Sequence, residues 1–227
     1  MILKLLRFDG ELTIGPEKVT TLEIENRHVF SRVVASLLSE KGEEAIEPYA
    51  IWDEKGKKKT AKGAFLALSS LPDLPLNDRT LLSKLYTQLT LNINDNIELS
   101  DKIADTTSEL ECYFLGENLE LWGQYDFGTR WDVGQILKAF SFRPAVDDDQ
   151  LLLDRLISFF GLCADINLGK PLLMVNAKSF FEPDELSEVA SQAFFYGIQL
   201  LMLESWADDA THEWEQKTCI DQWFFEN

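Results

Sequence analysis

Two short apolar runs, Leu-Leu-Met-Val at 172–175 and Leu-Leu-Met-Leu at 200–203, frame the clearest pattern in the chain. Runs so short and so nearly uninterrupted are what strands covered on both faces of a parallel sheet look like. Between them Leu186, Val189, Ala190, Ala193 and Phe194 fall on one helical face. Pro183 suits a first helical position, Asp184 and Glu185 favour the positive end of the helix dipole, and Gly197 offers a left-handed stop. The spacing predicts a βαβ crossover, hence an α/β protein.

The same patterning organises the rest. Residues 3–14 hold apolar pieces of a first strand around the turn Asp9-Gly10-Glu11, and residues 19–24 form a second strand leading to Asn26, a plausible N-cap. Val29, Phe30, Val33, Val34, Leu37 and Leu38 then make a helical stripe that ends by Lys41-Gly42, and Tyr49-Ala50-Ile51-Trp52 runs into a hairpin-like basic segment at 53–60. Pro72 and Pro75 break the pattern, and helices follow: one through Leu81, Leu85 and Leu89, another through Ile103, Leu110 and Phe114, joined at 92–96. A helix at 133–140 and one carrying Leu152, Leu153, Leu156, Ile157 and Phe160 complete this part, the latter preceded by Asp147, Asp148 and Asp149 as dipole partners. Gly169-Lys170-Pro171 returns the chain to the sheet, and a final strand is expected at 218–225. The division that results is a discontinuous α/β head, 1–76 with 170–227, holding an α-helical insertion at 77–169.

Charge narrows the function classes. A formal net charge of −18 opposes non-specific nucleic-acid binding at long range. The charge is segregated, however: Lys55, Lys57, Lys58, Lys59 and Lys62 crowd one segment with only Asp53 and Glu54 against them. That segment reads either as a solvated turn or as a finger that contacts phosphates. No apolar stretch approaches a membrane span and the start of the sequence lacks signal-peptide character, so a cytoplasmic protein is expected. Cys112, Cys163 and Cys219 read as buried free thiols, and His28 and His212 as structural or surface histidines.

A phosphate-binding loop is excluded at the two places where it would sit. Gly10 and Gly15 have the spacing, but Pro16 and Glu17 replace the required Lys and Ser/Thr and a strand follows. Glu25-Asn26-Arg27-His28, at the turn from strand to helix, has neither glycine nor lysine. No nucleophile–base or clustered metal-ligand pattern stands out, so an enzyme reading ranks last.

Leu22-x-Ile24-Glu25, Val29-Phe30-Ser31-Arg32-Val33-Val34 and Trp52-Asp53-x-Lys55-x-Lys57 resemble the opening of the CRISPR-associated type II-A adaptation protein, the small ring-forming Csn-type family. Lys170, Leu172, Leu173, Val175-Asn176, Phe180, Asp184-Glu185 and Leu203-Glu204 occur at the family's spacing, and Ile220-Asp221 with Phe224 is similar to its ending. The resemblance implies a head like a P-loop ATPase without its phosphate loop, an inserted helical leg, and no nucleotide. It also implies a homotetrameric ring that binds calcium and holds double-stranded DNA ends in its central hole. Such proteins act in spacer acquisition beside the integrase pair and the RNA-guided effector nuclease.

On this resemblance Lys55, Lys57, Lys58, Lys59 and Lys62 become DNA-contacting candidates, Lys55 and Lys57 being the matched pair. Glu117, Glu120 and Asp126 become calcium-ligand candidates, although Trp122, Gly123, Gln124 and Gly128 replace part of the family's acid run. The alternative is an interaction or regulatory adaptor that uses the same head without DNA, with the aromatic stretch 122–131 as partner surface. Aromatics so placed more often form a core or a subunit interface.

Overall fold

The computed structural model describes residues 1–115, 123, 125, 132–145, 147, 149–210 and 212–221. The chain forms two compact units, Met1–Pro75 with Val146–Asn227, and Leu76–Ala145.

The first unit contains two sheets. Strands β1 (Ile2–Leu5), β2 (Glu11–Thr13), β4 (Tyr49–Trp52) and β5 (Lys58–Lys59) form an antiparallel four-stranded sheet in the order β2-β1-β4-β5. Strands β3 (Val19–Ile24), β6 (Leu66–Leu68), β7 (Leu172–Val175), β8 (Leu200–Glu204) and β9 (Glu215–Ile220) form a parallel five-stranded sheet in the order β6-β7-β8-β3-β9. The α/β class read from the sequence is what the protein adopts. Asn26 caps helix α1 (Arg27–Leu37) by accepting from the His28 and Val29 amides, at 3.0 and 3.2 Å. Helix α7 (Pro183–Phe195) opens with Pro183, and the Glu185 carboxylate accepts from the Glu182 amide at 2.9 Å. It supplies the crossover between β7 and β8, as its flanking residues require.

Side chains alternate across a strand, so each strand of the parallel sheet serves two environments. Leu22, Ile24, Leu173, Leu201, Leu203 and Ile220 join Leu3, Leu5, Tyr49, Ile51, Val29 and Val33 in one apolar core. Each fully buried leucine contributes about 2 kcal/mol of transfer free energy there. The intervening positions include Thr21 and Glu23 of β3, Glu204 of β8 and Glu215 of β9, all buried and all polar. That second face also buries Val19, Leu172, Met174, Leu200 and Met202, so both faces of the sheet are packed and one of them carries buried charge as well.

The second unit is helical. Asp78 caps α3 (Arg79–Asp95) by accepting from the Thr80 and Leu81 amides. Helix α4 (Ile97–Leu115) follows after the single residue Asn96, and Asp132 caps α5 (Val133–Ala139). The Tyr86 hydroxyl donates to the Phe142 carbonyl at 2.8 Å and pins the segment after α5 beside α3.

Several boundaries differ from those expected. Helix α6 (Leu152–Asp165), assigned by sequence to the helical insertion, belongs to the first unit and packs against α7. Leu156, Phe159, Phe160 and Cys163 are wholly buried, and so apolar a stripe needs a larger core than the two-faced helices α3 and α4 provide. Helix α3 runs through residues 92–95, which were expected to form a joint. Short α2 (Ala61–Ala64) and edge strand β6 carry no distinctive pattern and were not foreseen. The last strand starts at Glu215 and ends at Ile220, where 218–225 was expected; residues 222–227 lie outside the described residues. Its polar sequence Glu-Gln-Lys-Thr-Cys-Ile suits a sheet edge with a single neighbour, β3. Cys163 alone is buried among the three free thiols; Cys112 and Cys219 are exposed.

Candidate nucleic-acid interface and a buried charged cluster

The basic segment is a hairpin whose turn the sequence dictates. Asp53 Oδ1 accepts from the Lys55 and Lys57 amides at 3.0 and 2.8 Å, while the Asp53 amide donates to the Lys57 carbonyl at 3.0 Å. These amide bonds, the Lys57 one foremost, hold the Asp53 carboxyl below its usual range. Gly56 has φ +73°, a left-handed conformation that glycine adopts without strain. A loop fixed in this way has little backbone left to order on binding.

The five lysines are not equivalent. Lys58 pairs with Glu43, Lys59 with Asp53 at 3.4 Å, and Lys62 with Glu40 at 3.4 Å. Lys55 and Lys57 are exposed and make no ion pair among the described residues. Exposed pairs contribute little, about 0–1 kcal/mol, so the three paired lysines can exchange a carboxylate for a phosphate at small cost.

A second charged group lies inside the first unit. Lys178, in the short 3-10 turn Ala177–Ser179 after β7, donates its ammonium to Glu23 Oε1 at 2.7 Å and to Asp208 Oδ2 at 2.8 Å, with Glu215 Oε1 at 3.1 Å. Its backbone amide donates to Glu204 Oε1 at 3.2 Å. Lys217 donates to Asp208 and to the Ala210 carbonyl, and lies 3.3 Å from Glu23. Side-chain exposure of Lys178, Glu23 and Glu215 is 2%, 1% and 1%, so these charges are shielded from water and are balanced by one another and by Asp208 and Lys217.

Protonation follows from that burial. Desolvation works against the Lys178 ammonium, but its bonds to Asp208, Glu23 and Glu215 outweigh it and hold the pKa above the usual lysine value. Desolvation pushes Glu204 up to about 7, since the Lys178 amide and charge only partly offset it. Asp208 is desolvated too, yet Lys178 and Lys217 bring it down to about 2. Desolvation likewise raises the buried Cys163 thiol to about 12, which keeps it neutral and unreactive.

The family model described as CRISPR-associated protein (Cas_Csn2) matches residues 44–222, most of the chain and both ends of the charged hairpin. The chain belongs to that family. No curated protein matches the chain. Among solved structures, the crystal structure of Stu0660 of Streptococcus thermophilus is similar with a TM-score of 0.52 at 13% identity, covering 96% of this chain and 74% of that one. At such identity the likeness concerns the fold: a parallel-sheet α/β protein with helices.

The Cas_Csn2 match includes all five candidate lysines, which the structure gathers on one hairpin and the α2 turn beside it. Glu117, Glu120 and Asp126, the calcium candidates, and the aromatic stretch 122–131 apart from Gly123 and Tyr125, lie outside the described residues. Among the described residues no three His, Cys, Asp or Glu side chains come together as a metal-holding group, and no helix is long and apolar enough to cross a membrane. Sequence reading passed over the cluster around Lys178. Its signal was a carboxylate at or next to the end of two otherwise uncharged strand patterns, Glu23 in Val-Thr-Thr-Leu-Glu-Ile and Glu204 in Leu-Leu-Met-Leu-Glu.

Proposed function

We propose that this member of the Cas_Csn2 family is a non-catalytic protein that binds double-stranded DNA ends as a homotetrameric ring during spacer acquisition. The observation that carries this reading is the hairpin: Lys55 and Lys57 stand exposed on a fixed turn, without acidic partners among the described residues, in a chain of net charge −18. Four copies facing one hole would concentrate positive charge there, while the acidic remainder opposes binding elsewhere. Lysines that neutralise phosphates release counterions and read no base edges, so affinity is independent of sequence and steeply dependent on salt.

Assembly is supported by α4, where no side chain is fully buried among the described residues although Ile97, Leu110 and Tyr113 are large hydrophobic residues. The absence of nucleotide chemistry is supported at the turn from β3 to α1, where Asn26 occupies the helix amides a phosphate would need. Calcium, which the family resemblance implies, would be held by Glu117, Glu120 and Asp126, whose carboxylates suit a hard cation; its service would be to hold neighbouring acids together. The partners that follow from this reading are the integrase pair and the RNA-guided effector nuclease. Gel-shift titration of linear duplex DNA against the variant with Lys55, Lys57, Lys58, Lys59 and Lys62 all changed to Glu tests the assignment. Binding is expected to vanish; unchanged binding overturns the hairpin as the contact.

A further inference from the structure

A cleft of about 600 Å³ opens beside the hairpin, within the range of small-ligand sites. It lies at the amino-terminal ends of β7 and β8, lined by the residues just before each, and so at the end of the sheet opposite the turn from β3 to α1. Leu168, Ile198 and the neutral Cys163 give it an apolar floor, and Tyr196 is a half-buried wall. The Tyr196 ring rests against Gly161, where a Cβ would come to 3.8 Å. Lys55, Lys59 and Lys170 line the same space against two acids, Glu54 and Asp53, and Asp53 is already held by Lys59 and the turn amides. The walls are tied before any ligand arrives: Lys170 donates to the Lys62 carbonyl at 2.8 Å, and the Leu66 amide to the Pro171 carbonyl at 3.0 Å.

An apolar floor with one aromatic wall and an ammonium rim suits a flat neutral ring joined to a negatively charged group, which is the chemistry of a nucleotide's base and phosphate. We propose that this cleft takes one unpaired nucleotide, its base beside Tyr196 and its phosphate among Lys55, Lys59 and Lys170. Resting on the DNA-end reading, the source is the terminal nucleotide of a strand; a free mononucleotide shares the chemistry. The protein then distinguishes a frayed or overhanging end from a blunt one, although it reads no sequence.

Fluorescence anisotropy with internally labelled duplexes, blunt or bearing a one-nucleotide overhang, tests this on the intact protein. One base stacked on an aromatic contributes about 1–3 kcal/mol, so the overhang is expected to bind about tenfold tighter or more. Ala164→Trp, which fills the cleft from α6, and Tyr196→Leu, which removes the aromatic face, are expected to abolish that preference and leave blunt-duplex affinity unchanged. Equal affinity for both ends in the wild type, or a preference that survives both variants, overturns the site. If neither duplex binds, the DNA-end reading has failed, and titration with deoxyadenosine monophosphate decides the cleft alone. Binding lost in Ala164→Trp then supports the nucleotide site, and no binding overturns it.

Discussion

Lysines meet carboxylates in two regions of the first unit under opposite conditions. On the hairpin and the adjoining α2 turn, Lys58, Lys59 and Lys62 share water with Glu43, Asp53 and Glu40, and each pair can open at small cost. Around Lys178, the partners Glu23 and Glu215 are as buried as the ammonium itself. Desolvation makes the second set a structural commitment and leaves the first available for another anion. The same residue types thus serve stability in one place and recognition in the other, and burial rather than charge count separates them.

Removing the buried cation should break this contrast most severely. Lys178→Met leaves Glu23 and Glu215 in the interior with Lys217, 3.3 and 3.9 Å away, as one cation for two buried carboxylates, and a loss of about 3–5 kcal/mol is expected in urea unfolding. Restoration of much of that loss by adding Glu23→Gln would locate the cost in the orphaned charge.

Glu204 gives the next effect, and its sign depends on pH. Burial raises its pKa from 4.5 to about 7, so ionisation costs the folded state nothing below about pH 4.5 and its full penalty above about 7. Glu204→Gln is therefore expected to stabilise the protein by about 2–3 kcal/mol at pH 8 and to change little at pH 4. Asp208, lowered from 3.8 to about 2, works in the other direction: its contribution is present above pH 3.8 and lost as pH falls through 2. Thermal melts across that range read both.

On the hairpin the expected effects move from stability to binding. Lys55→Glu with Lys57→Glu should weaken linear DNA at low salt by at least about tenfold and reduce the slope of log affinity against log salt. Its melting should match the wild type, because neither side chain is buried. Smallest of all, Glu43→Ala frees Lys58 and should change stability by less than about 1 kcal/mol. A melt as damaged as that of Lys178→Met would erase the distinction between the two regions.

Much of this was legible in the chain because apolar alternation and caps are local signals. Pro183 and the runs on either side of α7 announce the βαβ unit, and Asn26 announces α1. The Asp53-Glu54-Lys55-Gly56-Lys57 turn is equally local, since a carboxylate and a glycine suffice to set it. What was not legible depends on pairing across long separations. Lys178 and Glu23 are 155 residues apart, and nothing near either one foretells that they meet. The placement of α6 and the edge strands β6 and β9 fails for the same reason: their neighbours in space, not their own sequence, decide where they belong.

The central claim concerns ends. Linear and covalently closed circular DNA of one sequence should be compared for retention at low and high salt, with and without calcium, on protein sized by light scattering. The account predicts a tetramer that retains linear DNA, loses it steeply as salt rises, and does not retain the circle. Equal retention of both forms would contradict threading over an end; retention of neither would leave the acidic surface as the guide and a protein-only adaptor as the reading.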